Sequence, residues 1–110
     1  MYEISRSPVQ VFQDIAGPGV TVTYTNTSSC PIVIDGVVMS MNGAPADQAT
    51  FWINGAVIWF LVIATGDAAA NAQITARINL QPGDTLKFVN GSAIGTLGWC
   101  VTGWAYNPNG

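Results

Sequence analysis

The stretch Ala72-Gln73-Ile74-Thr75-Ala76-Arg77-Ile78-Asn79-Leu80-Gln81-Pro82-Gly83-Asp84-Thr85-Leu86-Lys87-Phe88-Val89 decides the fold class. Its first half alternates. Ile74, Ala76, Ile78 and Leu80 fall on one side, and Gln73, Thr75, Arg77 and Asn79 on the other. That is the period of a half-buried strand. Gln81-Pro82-Gly83-Asp84 then turns the chain. Proline presets φ at the second position of a type II turn, and glycine takes the positive φ at the third. Residues 85–89 leave the turn as another strand. Strand, tight corner and strand, with no helical period on either side, point to an antiparallel all-β protein.

The same signals recur outward from this stretch. Val20, Val22 and Tyr24 alternate with Thr21, Thr23 and Thr25, and the polar turn Asn26-Thr27-Ser28-Ser29 follows. Upstream, Gly17-Pro18-Gly19 breaks the chain after a short alternating segment, Val9-Gln10-Val11-Phe12-Gln13. Residues 31–42 form a long apolar β segment in which Asp35-Gly36 reads equally as a hairpin turn or as a bulge. Thr50-Phe51-Trp52-Ile53 meets Asn54-Gly55, the favoured type I′ pair, before the longest apolar run, Ala56-Val57-Ile58-Trp59-Phe60-Leu61-Val62-Ile63-Ala64. Residues 98–106 make a last long strand. Seven to eight strands at short intervals predict one antiparallel β-sandwich, jelly-roll-like, over residues 9–110, with residues 1–8 as an N-terminal arm.

Composition agrees. The 110 residues suit a single domain. Val, Ile and Thr number 11, 10 and 10, against four Leu, one Lys and one Glu, so strand formers dominate and surface helix formers are almost missing. Only 8% of the residues are charged, where about 25% is usual. With 49% apolar residues the chain has enough to bury and is not disordered. Three cations cannot neutralise a phosphate track, so nucleic acid is not an expected partner. A nine-residue apolar run is too short for a membrane helix of about 20 residues, and no membrane partner is expected. The N-terminus shows no basic segment followed by an apolar one, so no signal peptide is read. A surface this poor in charge predicts cover by other protein, as a homo-oligomer or within a larger assembly.

Candidates for chemistry are few. There is no histidine, which removes imidazole acid–base catalysis, histidine metal ligation and the usual triads. Asp35, Asp47, Asp67 and Asp84 stand next to glycine or alanine in turns and are expected to close them. Cys30 and Cys100 fit no zinc pattern. They are expected as reduced, buried thiols, with pairing left open should their strands be neighbours. Asn26-Thr27-Ser28 and Asn90-Gly91-Ser92 match the glycosylation sequon, a match read as chance. No catalytic residue, metal or cofactor is expected. The aromatic residues remain. Trp52, Trp59, Trp99 and Trp104, with Tyr106, are candidates for core, subunit interface or sugar stacking.

Three segments together carry a resemblance. They are Val22-Thr23-Tyr24-Thr25-Asn26; residues 34–42 leading to Ala49-Thr50-Phe51-Trp52-Ile53-Asn54-Gly55; and Ile78-Asn79-Leu80-Gln81-Pro82-Gly83-Asp84-Thr85-Leu86 followed by Thr102-Gly103-Trp104-Ala105-Tyr106. This order of turns resembles small virion β-sandwich proteins of tailed phages, of the capsid decoration (cement) type, across residues 20–106. The Pro-Gly-Asp corner is also similar to that of other trimeric jelly rolls. The resemblance implies a homotrimer on the outer surface of a phage head, bound to the major capsid protein lattice and made in the host bacterial cytoplasm. It implies contact through the arm and exposed aromatics, with Tyr2, Ile4, Arg6, Trp52, Trp59, Trp99, Trp104 and Tyr106 as candidates. A tail-fibre tip and a carbohydrate-binding module are the alternatives.

Overall fold

The computed structural model describes residues 5–75 and 77–107, with side chains over 14–75 and 77–105. Nine strands are present and no helix among these residues: β1 (Ser5–Ala16), β2 (Thr21–Thr25), β3 (Ile32–Asn42), β4 (Gln48–Ile53), β5 (Ala56–Val62), β6 (Ala69–Ile74), β7 (Ile78–Leu80), β8 (Thr85–Asn90) and β9 (Leu97–Asn107). One antiparallel sheet runs β1-β9-β3-β6, with β7 also pairing β3; the other runs β2-β8-β4-β5. The chain passes back and forth between two packed sheets, and β6 and β7 together fill one strand position beside β3. This is a jelly roll.

The turns form as their residues demand. Gly83 has φ 88° and the Asp84 amide donates to the Gln81 carbonyl at 2.9 Å, a type II turn. Asn54 and Gly55 have φ 49° and 80°, both positive as a type I′ hairpin requires.

Two expectations are corrected. Residues 72–80 are not one strand but two. Asp35-Gly36 is a bulge, marked by the register shift between Ile34 and Gly36 against β9. On the other side of β3, pairing passes from Ile34↔Ile78 to Val37↔Ile74. Two residues of β3 therefore face three of its neighbour, and the ladder parts between β6 and β7. The Thr102 hydroxyl donates to Asp35 Oδ1 at 2.9 Å and holds the bulge. Of the expected arm, residues 1–8, the described part is strand rather than free arm, and residues 1–4 lie outside the described residues. β1 opens at Ser5, with Ser5 opposite Asn107 and Pro8 opposite Trp104. Proline is tolerated there because β1 ends its sheet, pairing with β9 alone among the described residues.

The core lies between the sheets. Val37, Met39, Met41, Leu97, Trp99 and Val101 from one sheet meet Ala49, Phe51, Leu61, Leu86 and Phe88 from the other. An aromatic stack bridges the layers: Phe51 and Phe88 lie 5.1 Å apart between ring centres, and Phe88 and Trp99 lie 4.4 Å apart at 6°. Such pairs add roughly 0.5–1.5 kcal/mol each beyond burial. Trp99 Nε1 donates to the Tyr24 hydroxyl at 3.2 Å, and burial raises the Tyr24 pKa above its ordinary value.

Two buried asparagines tie the loops at opposite ends of the β2–β8 pair. Asn26 Nδ2 donates to the carbonyls of Leu80 (2.8 Å) and Cys30 (3.0 Å), while its Oδ1 accepts from the Ser28 amide and hydroxyl. Asn90 Nδ2 donates to the carbonyls of Ala16, Gly17 and Gly95, and its Oδ1 accepts from the Ser92 amide. Both sequon asparagines are buried with their amide nitrogens engaged. In the folded chain the Asn-x-Ser pattern is turn chemistry, because the serine amide two residues on closes each Asx turn.

Candidate interaction site

The candidate site is β5. The hairpin at Asn54-Gly55 starts it, and the Thr85 amide donates to Asn54 Oδ1 at 2.9 Å, anchoring that hairpin to β8. Its far end is held by the Ile63 amide donating to the Asp47 carbonyl and the Ala46 amide donating to the Ile63 carbonyl. Between these anchors β5 pairs with β4 alone among the described residues, and it ends its sheet. The register moves from Phe51↔Trp59 to Trp52↔Val57, so Ile58 is the extra residue of a bulge.

The burial is unusual for so apolar a strand. Leu61 points into the core, yet Val57 is 48% exposed, Ile58 47%, Trp59 41%, Phe60 61% and Val62 39%. Opposite residues of an antiparallel pair share a face. Trp59 lies opposite buried Phe51, so it is on the inner side of the sheet, at the rim of the sandwich. Phe60 and Val62 lie opposite Thr50 and Gln48, on the outer side. Both sides of β5 therefore show apolar surface to water. No residue from Ala56 to Val62 carries a charge.

The expected contact residues divide. Trp52 and Trp59 both lie on the β4–β5 hairpin but on opposite faces, Trp52 opposite Val57 on the outer side and Trp59 opposite Phe51 on the inner. Trp52 is half-buried, donates from Nε1 to Thr50 Oγ1 at 2.8 Å, and has Lys87 Nζ 4.2 Å from its ring centre. Trp104 is half-buried on the other sheet, with the Arg77 guanidinium 5.6 Å from its ring centre. Trp99 is only 4% exposed, in the aromatic stack, which removes it as a contact residue. Its parity with Val101 puts it on the inner face of β9. Arg6 and Tyr106 pair across β1 and β9, with side chains outside the described residues. Tyr2 and Ile4 lie outside them altogether. The sequence reading did not single out Val57, Ile58, Phe60 and Val62. Their signal was an apolar run without alternation, which on an edge strand exposes every other residue whichever face is buried.

The carboxylates act locally. Asp14 Oδ1 accepts from the Ile15 amide, and Asp84 Oδ2 accepts from the Gln81 amide at 2.8 Å. Asp47 Oδ2 accepts from the Ser92 hydroxyl at 2.6 Å and the Ala44 amide at 2.9 Å. The Ser92 hydrogen bond, then the Ala44 amide, hold the Asp47 carboxyl below its ordinary pKa. Cys30 and Cys100 are half-buried and form no disulfide with one another. Among the described residues no three His, Cys, Asp or Glu side chains gather as metal ligands. Two surface depressions of about 350 and 340 Å³ adjoin at Gly98; among the described residues their linings hold one carboxylate, Asp14. No helix among the described residues is long and apolar enough to cross a membrane.

No family model and no curated protein matches the sequence. Among solved structures, the chain is similar to a family 35 carbohydrate-binding module from an environmental isolate, at 19% identity and TM-score 0.47, over 84% of this chain and 72% of that one. It is similar to a Clostridium stercorarium module solved with cellobiose, CsCBM6-3, at 14% identity and TM-score 0.45, over 92% of each chain. A Nora virus structure is similar at 5% identity and TM-score 0.44, over 96% of this chain and 61% of that one. At these levels the likenesses are to a β-sandwich architecture and bring no ligand with them.

Proposed function

We propose that this chain is a non-catalytic interaction module that works while associated with other protein, and that β5 is its contact strand. The observation that carries the reading is the exposure of five uncharged apolar residues on one edge strand. Such an edge is a template for pairing and, left open, a hazard. The partner class indicated by the sequence resemblance is a repeating protein shell, with the chain acting as a capsid decoration protein. There a module adds binding free energy only to the assembled state, and so stabilises it.

A second reading, carbohydrate binding, is favoured by one observation: the Trp59 indole is 41% exposed. Trp52 and Trp104 support it less, since a cation already covers one face of each ring. Sedimentation equilibrium and a glycan panel, run on the wild type and on Trp59→Ala, test both. Self-association of the wild type supports the module reading. A lone soluble monomer at millimolar concentration overturns it. Glycan binding that Trp59→Ala abolishes while leaving the oligomer intact establishes the second reading.

A further inference from the structure

We propose that the β5 edge is occupied by β5 of a second copy of this chain, paired antiparallel about a two-fold axis. The two sheets then join into one of eight strands, β2-β8-β4-β5-β5-β4-β8-β2. The inference rests on the module reading above and specifies its partner.

Three observations support it. First, both sides of β5 are apolar and exposed, Trp59 on the inner side and Phe60 and Val62 on the outer. A partner laid over the outer face leaves Trp59 in water, and one inserted beneath leaves Phe60 there. Addition of a strand at the edge sets a partner side chain beside each of them, on both sides at once. Second, a two-fold contact sets a surface against itself, and charge there repels its own copy. Residues Ala56–Val62 are uncharged, which removes that repulsion. Antiparallel pairing also closes after two copies, whereas a translational contact leaves a free edge and grows fibres. Third, the edge has room for the contact. The seven residues span about 24 Å of open backbone. The five exposed residues offer on the order of 450 Å² of surface per copy. Edge pairing covers part of this on each copy, which puts the contact at the small end of specific interfaces, below ~1,200 Å², and makes association depend on concentration.

Intermolecular disulfide scanning tests the pairing. Single cysteines are placed at each of positions 57–62 in a Cys30→Ser/Cys100→Ser chain. Near a two-fold axis a residue meets its own copy, so self-cross-linking is expected to peak at one central position and fall away at both ends. Sedimentation equilibrium of the wild type is expected to give a dimer or a multiple of it. As a second arm, Ile58→Lys in the otherwise native chain is expected to weaken association about 100-fold with an unchanged circular dichroism spectrum. A trimer without self-cross-linking, or an Ile58→Lys chain that associates like the wild type, overturns the two-fold pairing while the module reading stands. A monomeric wild type overturns both.

Discussion

β2 and β5 are the two edges of one sheet, and they meet water in opposite ways. β2 alternates cleanly: Thr21, Thr23 and Thr25 are exposed, while Val22 and Tyr24 turn inward. Tyr24 packs edge-on against Phe88 and Trp99 and accepts the Trp99 indole proton. β5 has no such division, with six of its seven residues exposed and only Leu61 buried. The same sheet thus has one edge finished for solvent and one left apolar on both sides. Proteins usually blunt an open edge with charge, proline or polar residues, as the threonines do on β2. Of the nine large apolar side chains exposed among the described residues, five lie together on β5, where a strand can be added, and Ile15, Val20, Val38 and Ile94 lie apart from it.

The comparison breaks most sharply if β5 is given the pattern of β2. Val57→Thr/Phe60→Thr/Val62→Thr is expected to cost association about 3 kcal/mol, some hundredfold in Kd, because the apolar area lost no longer drives contact. The melting temperature at low protein concentration should barely move, since these side chains already face water. Sedimentation equilibrium and thermal melts check both halves. A triple variant that associates normally removes the distinction between the edges.

The finished edge should show the reverse response, stability without association. Asn26→Ala, just beyond β2, leaves the Leu80 and Cys30 carbonyls and the Ser28 amide short of a partner. The expected loss is about 2 kcal/mol in denaturant unfolding, with the oligomer of the folded protein unchanged. Tyr24→Phe removes one acceptor from the buried Trp99 indole and is expected to cost about 1 kcal/mol, again leaving association alone.

The smallest effect concerns the exit of β5, where the loop carrying Asp47 holds Ile63. Its carboxyl titrates lower in the folded chain than in the unfolded one. The stabilisation it gives is therefore complete above the ordinary aspartate range and is lost as pH falls through the lowered value. Thermal melts between about pH 2 and 5 should fall less steeply for Asp47→Asn than for the wild type. Identical slopes would remove Asp47 from the account of how β5 is held.

What the sequence made legible was local. The type II corner at Pro82-Gly83 and the hairpin at Asn54-Gly55 depend on the φ their own residues accept, and both formed as read. The alternation of β2 likewise needs only its own five residues and one buried face. The break between β6 and β7 was not legible, because its cause is the Asp35-Gly36 bulge some 40 residues upstream, brought alongside by pairing. Trp99 and Trp104 posed the same problem in another form. Parity along β9 put them on opposite faces, but only the second sheet decides which face is inward. For the site, Trp59 was legible as an aromatic in the most apolar run. Its neighbours Val57, Ile58 and Phe60 were not, since an unbroken apolar run reads as a buried central strand until its place at the sheet edge is known.

Amide hydrogen exchange on β5 as a function of protein concentration tests the central claim most directly. An edge covered by a partner shields the outward amides of Ala56–Val62 only when copies meet. The account predicts that exchange across β5 slows as concentration rises, while Thr21–Thr25 at the opposite edge exchange at a constant rate. Exchange on β5 that ignores concentration, or slowing that appears at β2 instead, would contradict it.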